Sequence, residues 1–195
     1  LKKQNKKGNL SYYPGSPQVA LSFLRANDAM RLFELHPKDV EILKKNTPSK
    51  SRFQVEHKDG YEGLKSALPP VSRRGVVLID PSYELKSEYR ASIKAIEMGV
   101  KRFATGTYML WYPVVDRKLI LGMEKYWVKT GIKNILQVEY CREPDSPGYG
   151  MTGTGLFIVN PPWQLAKQME EVLPYLKEKL GNSGSYFTLS QLIEE

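Results

Sequence analysis

Apolar residues recur along the chain with two alternating periods. Residues 30–35 and 52–57 carry them at strand spacing. The stretch 76–80 opens with the unbroken run Val76-Val77-Leu78-Ile79, which predicts a strand buried on both faces at the centre of a parallel sheet. Between these strands the spacing lengthens to that of helices, one running through Leu43 after His36-Pro37 and one through Leu68 after Lys58-Asp59-Gly60. Further on, Tyr89, Ile93, Ile96 and Val100 set a helix over 86–102. An aromatic-rich strand spans 106–112 with Pro113 as its stop, and an amphipathic helix covers 117–129. Strands at 132–140 and 151–160 are joined by a loop containing Pro144-Asp145-Ser146-Pro147-Gly148, short enough for an antiparallel pair. A helix over 163–180 and a weakly strand-like end at 186–189 complete the pattern, and Pro17 marks the first turn of an opening helix over 18–25.

Strand alternating with helix predicts right-handed crossovers and a parallel sheet covered on both faces. The closing antiparallel pair departs from a flavodoxin-type sheet. It resembles the Rossmann-like sheet of class I S-adenosylmethionine-dependent methyltransferases, whose last strand inserts antiparallel beside the fifth. No repeat or linker divides the 195 residues, so a single methyltransferase domain over 1–195 is expected. The sequence opens at Leu1 in what reads as the polar end of a helix, and this domain is expected to be the carboxyl part of a longer chain.

Charge adds a class of partner, since a formal net charge of +8 favours a polyanion such as nucleic acid. The single cysteine, Cys141, excludes an internal disulfide and a cysteine-rich zinc site. His36 and His57 have no metal-ligand spacing with it, so no metal is expected and a cytoplasmic setting is. No apolar run reaches the length of a membrane-spanning helix, and no membrane partner is expected.

Candidate chemistry concentrates at strand ends. Asp80 places a carboxylate at the carboxyl end of the 76–80 strand, Pro81 removes the next backbone donor, and Tyr83 adds a ring, in the crevice where open α/β sheets bind ligands. Glu34 and Asp59 close the two preceding strands. An acid after the second strand of such a sheet can accept hydrogen bonds from ribose hydroxyls, and one after the third can take an adenine amino group. The three acids in order therefore suit an adenosine-bearing cofactor. Each acid alone reads better as a solvated loop carboxylate or a helix cap, Asp59 above all; it is the three in order that favour a site. Ser16 precedes the opening helix, where polar ligand groups collect. Asn160-Pro161-Pro162-Trp163 offers a second amide, Pro-Pro, aromatic pattern, but it follows the last strand and reads as a helix start, with Trp163 a candidate for the pocket border.

Several segments carry a specific resemblance: Tyr12-Tyr13-Pro14-Gly15-Ser16-Pro17, Glu34-Leu35-His36-Pro37, Asp59-Gly60, Leu68-Pro69-Pro70-Val71-Ser72-Arg73-Arg74-Gly75, the Asp80 strand, Lys101-Arg102-Phe103-Ala104-Thr105-Gly106-Thr107-Tyr108 with Leu110-Trp111-Tyr112-Pro113, and Asn160-Pro161-Pro162-Trp163. Together they resemble the bacterial 23S ribosomal RNA adenine-N6-methyltransferase family, which has also carried a label for catabolism of external DNA. The likeness runs from about residue 11 into the helix at 163. It implies S-adenosylmethionine as cofactor, contacted by Ser16, Glu34, Asp59 and Gly60. It further implies Asp80 as the catalytic acid, with the Pro81 carbonyl beside it accepting the hydrogens of the target N6, and Tyr83 stacked on an adenine turned out of its helix. The partner implied is 23S ribosomal RNA largely free of protein, methylated by a monomer.

Two departures stand out. Ser82 replaces the family's second proline while leaving Asp80, Pro81 and Tyr83 in place, and is expected to be tolerated. The glycine-rich loop and first strand have no counterpart, so the sheet is expected to break between its second and fourth strands. Lys2, Lys3, Lys6, Lys7, Arg73, Arg74, Lys101 and Arg102 are candidate phosphate contacts, and Tyr12, Tyr13, Tyr108, Trp111 and Tyr112 are candidates to stack bases, with core packing the stronger expectation for Trp111. The function expected is S-adenosylmethionine-dependent N6-methylation of an adenine in 23S ribosomal RNA. The alternatives are a nucleic-acid-binding protein without catalysis, linked to use of external DNA, and an adenine-N6 DNA methyltransferase.

Overall fold

The computed structural model describes residues 5, 9, 11–146 and 150–195, and among them the chain forms six helices and seven strands. Lys2, Lys3, Lys6 and Lys7 lie outside the described residues. The chain divides into two compact units, Leu1–Ala67 and Leu68–Glu195.

In the first unit, β1 (Met30–Glu34) pairs in parallel with β2 (Phe53–His57), Met30 opposite Phe53 and Glu34 opposite His57. A parallel pair needs a crossover, here α2 (Pro37–Asn46). Pro37 and Asp39 suit its first turn and Lys44 and Lys45 its last, in keeping with the helix dipole. α1 (Ser16–Phe23) precedes the pair and α3 (Gly60–Ala67) follows it. α3 approaches β1 closely at Gly63, where a Cβ would run into the Phe33 ring.

The second unit holds β3 (Val76–Ile79), α4 (Glu88–Arg102), β4 (Thr107–Val114), α5 (Arg117–Thr130), β5 (Ile135–Cys141), β6 (Gly153–Val159), α6 (Leu165–Leu180) and β7 (Tyr186–Ile193). Its strands order as β3-β4-β6-β5-β7 among the described residues. β3 and β4 are parallel, β6 inserts antiparallel to both β4 and β5, and β7 adds antiparallel to β5. This is the inserted antiparallel strand that the sequence pattern anticipates. The core contains Ile93 and Ile96 of α4, Ile120 and Trp127 of α5, and Leu110, Tyr112, Ile135 and Phe157 from the sheet. Phe157 stacks on Tyr112 at 4.7 Å and meets Trp127 at 5.9 Å. Leu136, Val138 and Ile158 pack with Leu173 of α6 in a second cluster. Gly155 on β6 is dictated by this packing, because a Cβ there would enter the Tyr112 ring.

Three expectations change. Among the described residues β3 is the outer strand of its sheet, and it is not buried on both faces there: Val76 is 68% and Leu78 47% exposed. Among the described residues no strand pairs with its outer edge. Pro113 does not stop β4 but lies within it, opposite Thr154. β3 ends its pairing at Leu110, so at Pro113 one side of β4 is already an edge, and the missing N–H removes no ladder bond there. Tyr108 and Tyr112 are fully buried and so cannot stack bases. Their hydroxyls donate to Phe103 O at 2.8 Å and to Glu139 Oε2 at 3.0 Å, and burial pushes the Tyr108 phenol up to about 12.

Glu139 on β5 is 1% exposed. The Arg117 guanidinium answers it, with Nη1 2.9 Å from both carboxylate oxygens. Arg117 also grips Asp145 through Nε at 2.7 Å and Nη2 at 3.0 Å, and Nη2 donates to the Tyr186 hydroxyl at 2.6 Å. The Asp145 hydrogen bonds hold the guanidinium strongly protonated and, in return, hold the Asp145 carboxyl below its ordinary range. Removing one partner of such a pair leaves a buried charge uncompensated. Arg117→Leu is therefore expected to lower unfolding free energy by about 3 kcal/mol, and Arg117→Leu/Glu139→Leu to recover most of it, as read by urea denaturation.

Candidate active site

In the second unit Asp80 follows β3 directly, one residue past the last registered pair, Ile79 with Leu110. Its carboxylate retains access to solvent, yet desolvation by the neighbouring chain raises its pKa. Among the described residues neither this carboxylate nor the Pro81 carbonyl accepts a hydrogen bond. Two acceptors on consecutive residues are thus left with lone pairs available, and the partly desolvated surroundings of Asp80 strengthen any bond it makes.

The turn that carries them is held from both directions. The Ser82 hydroxyl donates to the Glu88 carboxylate at 3.3 and 3.5 Å, and the Leu85 N–H donates to the same group at 3.4 Å. The polar side chain that departs from the family pattern therefore has a partner on the first turn of α4. Tyr83 sits at φ +56°, a left-handed conformation that costs a non-glycine residue energy and persists where its surroundings over-determine it. Here its hydroxyl donates to Trp111 O, and its ring lies 4.4 Å from Tyr89 and 5.9 Å from Trp111. Trp111 is half-buried beside this ring, in a position to shape the turn and outside the fully buried core. That role was not visible in the sequence, where Trp111 reads as an interior residue of an apolar strand.

In the first unit the parallel pairing brings Glu34 and Asp59 to one end of β1 and β2, joined by the Lys58 N–H donating to Glu34 O at 3.1 Å. Glu34 Oε1 accepts from His36 N at 2.7 Å, and Asp59 Oδ1 accepts from Tyr61 N at 2.7 Å, capping α3 just before Gly60. Each carboxylate keeps its second oxygen without a protein donor among the described residues, so the pair retains the acceptor capacity that ribose hydroxyls and an adenine amine require. The residues present fit such a group. Gly60 leaves open space, its nearest neighbour to a built Cβ being Phe33 at 3.9 Å. Ser16 opens α1 behind Gly15, and no hydrogen bond ties its side chain to either acid. His57 is occupied by Leu35 O at 2.9 Å and His36 by Asp39 at 3.1 Å, the structural roles expected of them.

Asn160, the rival for the catalytic position, is fully committed: its amide donates to Ala104 O and Gly106 O at 2.8 Å, tying down the loop before β4, and Trp163 stands exposed. Tyr12 and Tyr13 are exposed. Among the described residues no cluster of ligating side chains forms a metal site, and no helix is long and apolar enough to cross a membrane.

Comparison with known proteins bears on the fold and the family. A crystal structure of a Legionella pneumophila protein matches with a TM-score of 0.89 and 35% identity, over 98% of this chain and 71% of that one. Ribosomal RNA large subunit methyltransferase J of Escherichia coli is 48% identical over 196 residues, covering all of this chain and 70% of the relative. The protein of the same name from Haemophilus influenzae is 48% identical over 186 residues, covering 95% of this chain and 66% of the relative. With residues 1–191 also matching the family model described as ribosomal RNA large subunit methyltransferase D, RlmJ, the chain belongs to that methyltransferase family.

Proposed function

We propose that the protein transfers a methyl group from S-adenosylmethionine to N6 of an adenine in 23S ribosomal RNA. The observation that carries the proposal is the pair of unoccupied acceptors, the Asp80 carboxylate and the Pro81 carbonyl, on a turn held by Glu88 and Trp111. Bound S-adenosylmethionine supplies an electrophilic methyl on a sulfonium. An aromatic amine is a weak nucleophile because its lone pair is delocalised into the ring. Two acceptors that engage both N6 hydrogens draw the nitrogen toward tetrahedral geometry and aim the lone pair out of the ring plane. Transfer would form the N–C bond as the methyl–sulfur bond breaks and leaves its electron pair on sulfur. The Asp80 carboxylate would stabilise the positive charge developing on the nitrogen and stand where the released proton leaves. Tyr83, fixed by its hydroxyl, presents a ring against which an extruded adenine stacks. Ser16, Glu34, Asp59 and Gly60 hold the cofactor, the two acids through the oxygens that the fold leaves without donors. Accommodation of Ser82 by Glu88 supports a competent motif over a binding protein without catalysis.

Asp80→Asn in the full-length protein is expected to lower methyl transfer to 23S ribosomal RNA by about 10²-fold or more, while calorimetry with S-adenosylmethionine gives unchanged affinity. Equal loss of both makes Asp80 structural, and preferential transfer to duplex DNA overturns RNA as the substrate. The pKa direction adds a stability signature. The folded pKa of Asp80 lies above its unfolded value of about 3.9, so its contribution to stability is present below that value and is lost as pH rises through the folded one. Asp80→Asn should therefore raise Tm at neutral pH, with the difference closing toward acid, and kcat/KM of the unmodified protein should fall on the acid side above the usual aspartate range. Ser82→Pro, which restores the family residue, should keep methyl transfer within about threefold; a loss of tenfold would make the Ser82–Glu88 contact a requirement.

A further inference from the structure

We propose that the amino end of the five-stranded sheet is a second RNA surface, which binds backbone phosphates of the substrate far from the target adenine through Arg73, Arg74, Lys101, Arg102, Lys129 and Lys133. The proposal rests on the RNA methyltransferase reading and concerns how that substrate is held. β3 and β4 are parallel, and β6 is antiparallel to both β4 and β5, so β3, β4 and β5 all begin at one end of the sheet. Arg73 and Arg74 precede β3, Lys101 and Arg102 close α4 before β4, and Lys129 and Lys133 precede β5. All six side chains are exposed.

The fold joins these three loops into one surface. Arg102 Nε donates to Leu68 O at 3.2 Å, and Thr107 N donates to Gly75 O at 3.2 Å, fastening the loop of Arg73 and Arg74 to the start of β4. A cavity of about 360 Å³ lined by Lys101, Ala104, Gly131, Lys133 and Asn160 connects the start of β4 to that of β5. The Arg73 turn is itself ordered: Arg73 N donates to Pro70 O at 2.9 Å, and Ser72 Oγ donates to Arg74 O at 2.9 Å. Its two guanidinium groups are thus displayed from a fixed backbone, which lowers the ordering cost of binding. Acids are few at this end. Glu97 pairs with Lys101 at 3.1 Å, and Glu194 and Glu195 bound the surface beyond Asn134.

The carboxyl end differs in charge. There Lys86, Arg90, Arg117, Lys118, Arg142, Lys177 and Lys179 stand against Asp80, Glu84, Glu88, Asp116, Glu143, Asp145 and Glu178, and Arg117 is committed to Glu139 and Asp145. Attraction for phosphate is therefore concentrated away from the catalytic acid. Six residue-to-residue steps of extended chain lead from Arg74 to Asp80, roughly 20 Å at about 3.3 Å each, so only an RNA long enough to wrap that distance engages both ends.

The test compares the full-length protein with Arg73→Gln/Arg74→Gln/Lys133→Gln, three exposed positions outside the candidate catalytic and cofactor residues. Anisotropy would measure binding of a long 23S fragment, a stem-loop too short to span 20 Å and anionic phospholipid vesicles, across a salt series. The expected result is a salt slope for the long fragment shallower by about 2.7, the release from three phosphates, with short stem-loop binding and Tm unchanged. An unchanged slope, equal weakening on both RNAs, or tight binding of vesicles in place of the long RNA overturns the proposal. Because binding is read without catalysis, absence of methyl transfer by the unmodified protein would overturn the function proposed above and leave this surface standing on its own result.

Discussion

A carboxylate buried in the middle of β5 constrains most of the second unit. Glu139 is sealed from solvent, and a lone charge there would cost several kcal/mol. It is tolerated because Arg117 at the start of α5 and the Tyr112 hydroxyl on β4 converge on it from 22 and 27 residues away. The same guanidinium reaches Tyr186 on β7 and Asp145 beyond β5. One ion thereby couples two strands, a helix start and a loop, and it does so across the inserted antiparallel β6. Replacing any partner by an apolar residue does more than remove a contact, because it strands the remaining charge in a medium that cannot solvate it.

Asp80 receives the opposite treatment in the same unit. Among the described residues it has no protein donor, and its surroundings disfavour the ionised form. Stability alone would not place a carboxylate so, and Tyr83 in a left-handed conformation on the same turn is a further local cost. Expense of this kind next to a strand end is what an active site looks like energetically: acceptors desolvated and held in place before the substrate's donors arrive. Glu139 shows that this fold can pair a carboxylate when pairing is what the position needs.

The polarity of the sheet separates two further properties. Its carboxyl end bears the acceptors and a near-even balance of charges, while its amino end gathers exposed cations around one cavity. A substrate that is a polyanion and must also present a single base can use both, with phosphates held at one end and chemistry at the other.

Much of the architecture was legible in the sequence because it follows from local rules. Apolar spacing set the order of helices and strands, and Pro17, Pro37 and Asp59 marked helix starts by the geometry and caps they supply. The Asp80-Pro81-Ser82-Tyr83 run at the end of an apolar strand marked the candidate site. What local rules could not reach is pairing. Whether Val76 and Leu78 lie in a sheet centre or at an edge depends on which strand stands beside them, and whether Pro113 breaks β4 depends on where β3 ends. Tyr112 and Trp111 are neighbours with similar side chains, yet alternation sends one to the Glu139 network and leaves the other beside Tyr83. The chain by itself determined which chemical groups are available and at which strand ends they fall. Only the tertiary structure decided which charges are paired and which remain open, because burial and pairing belong to residues far apart in sequence.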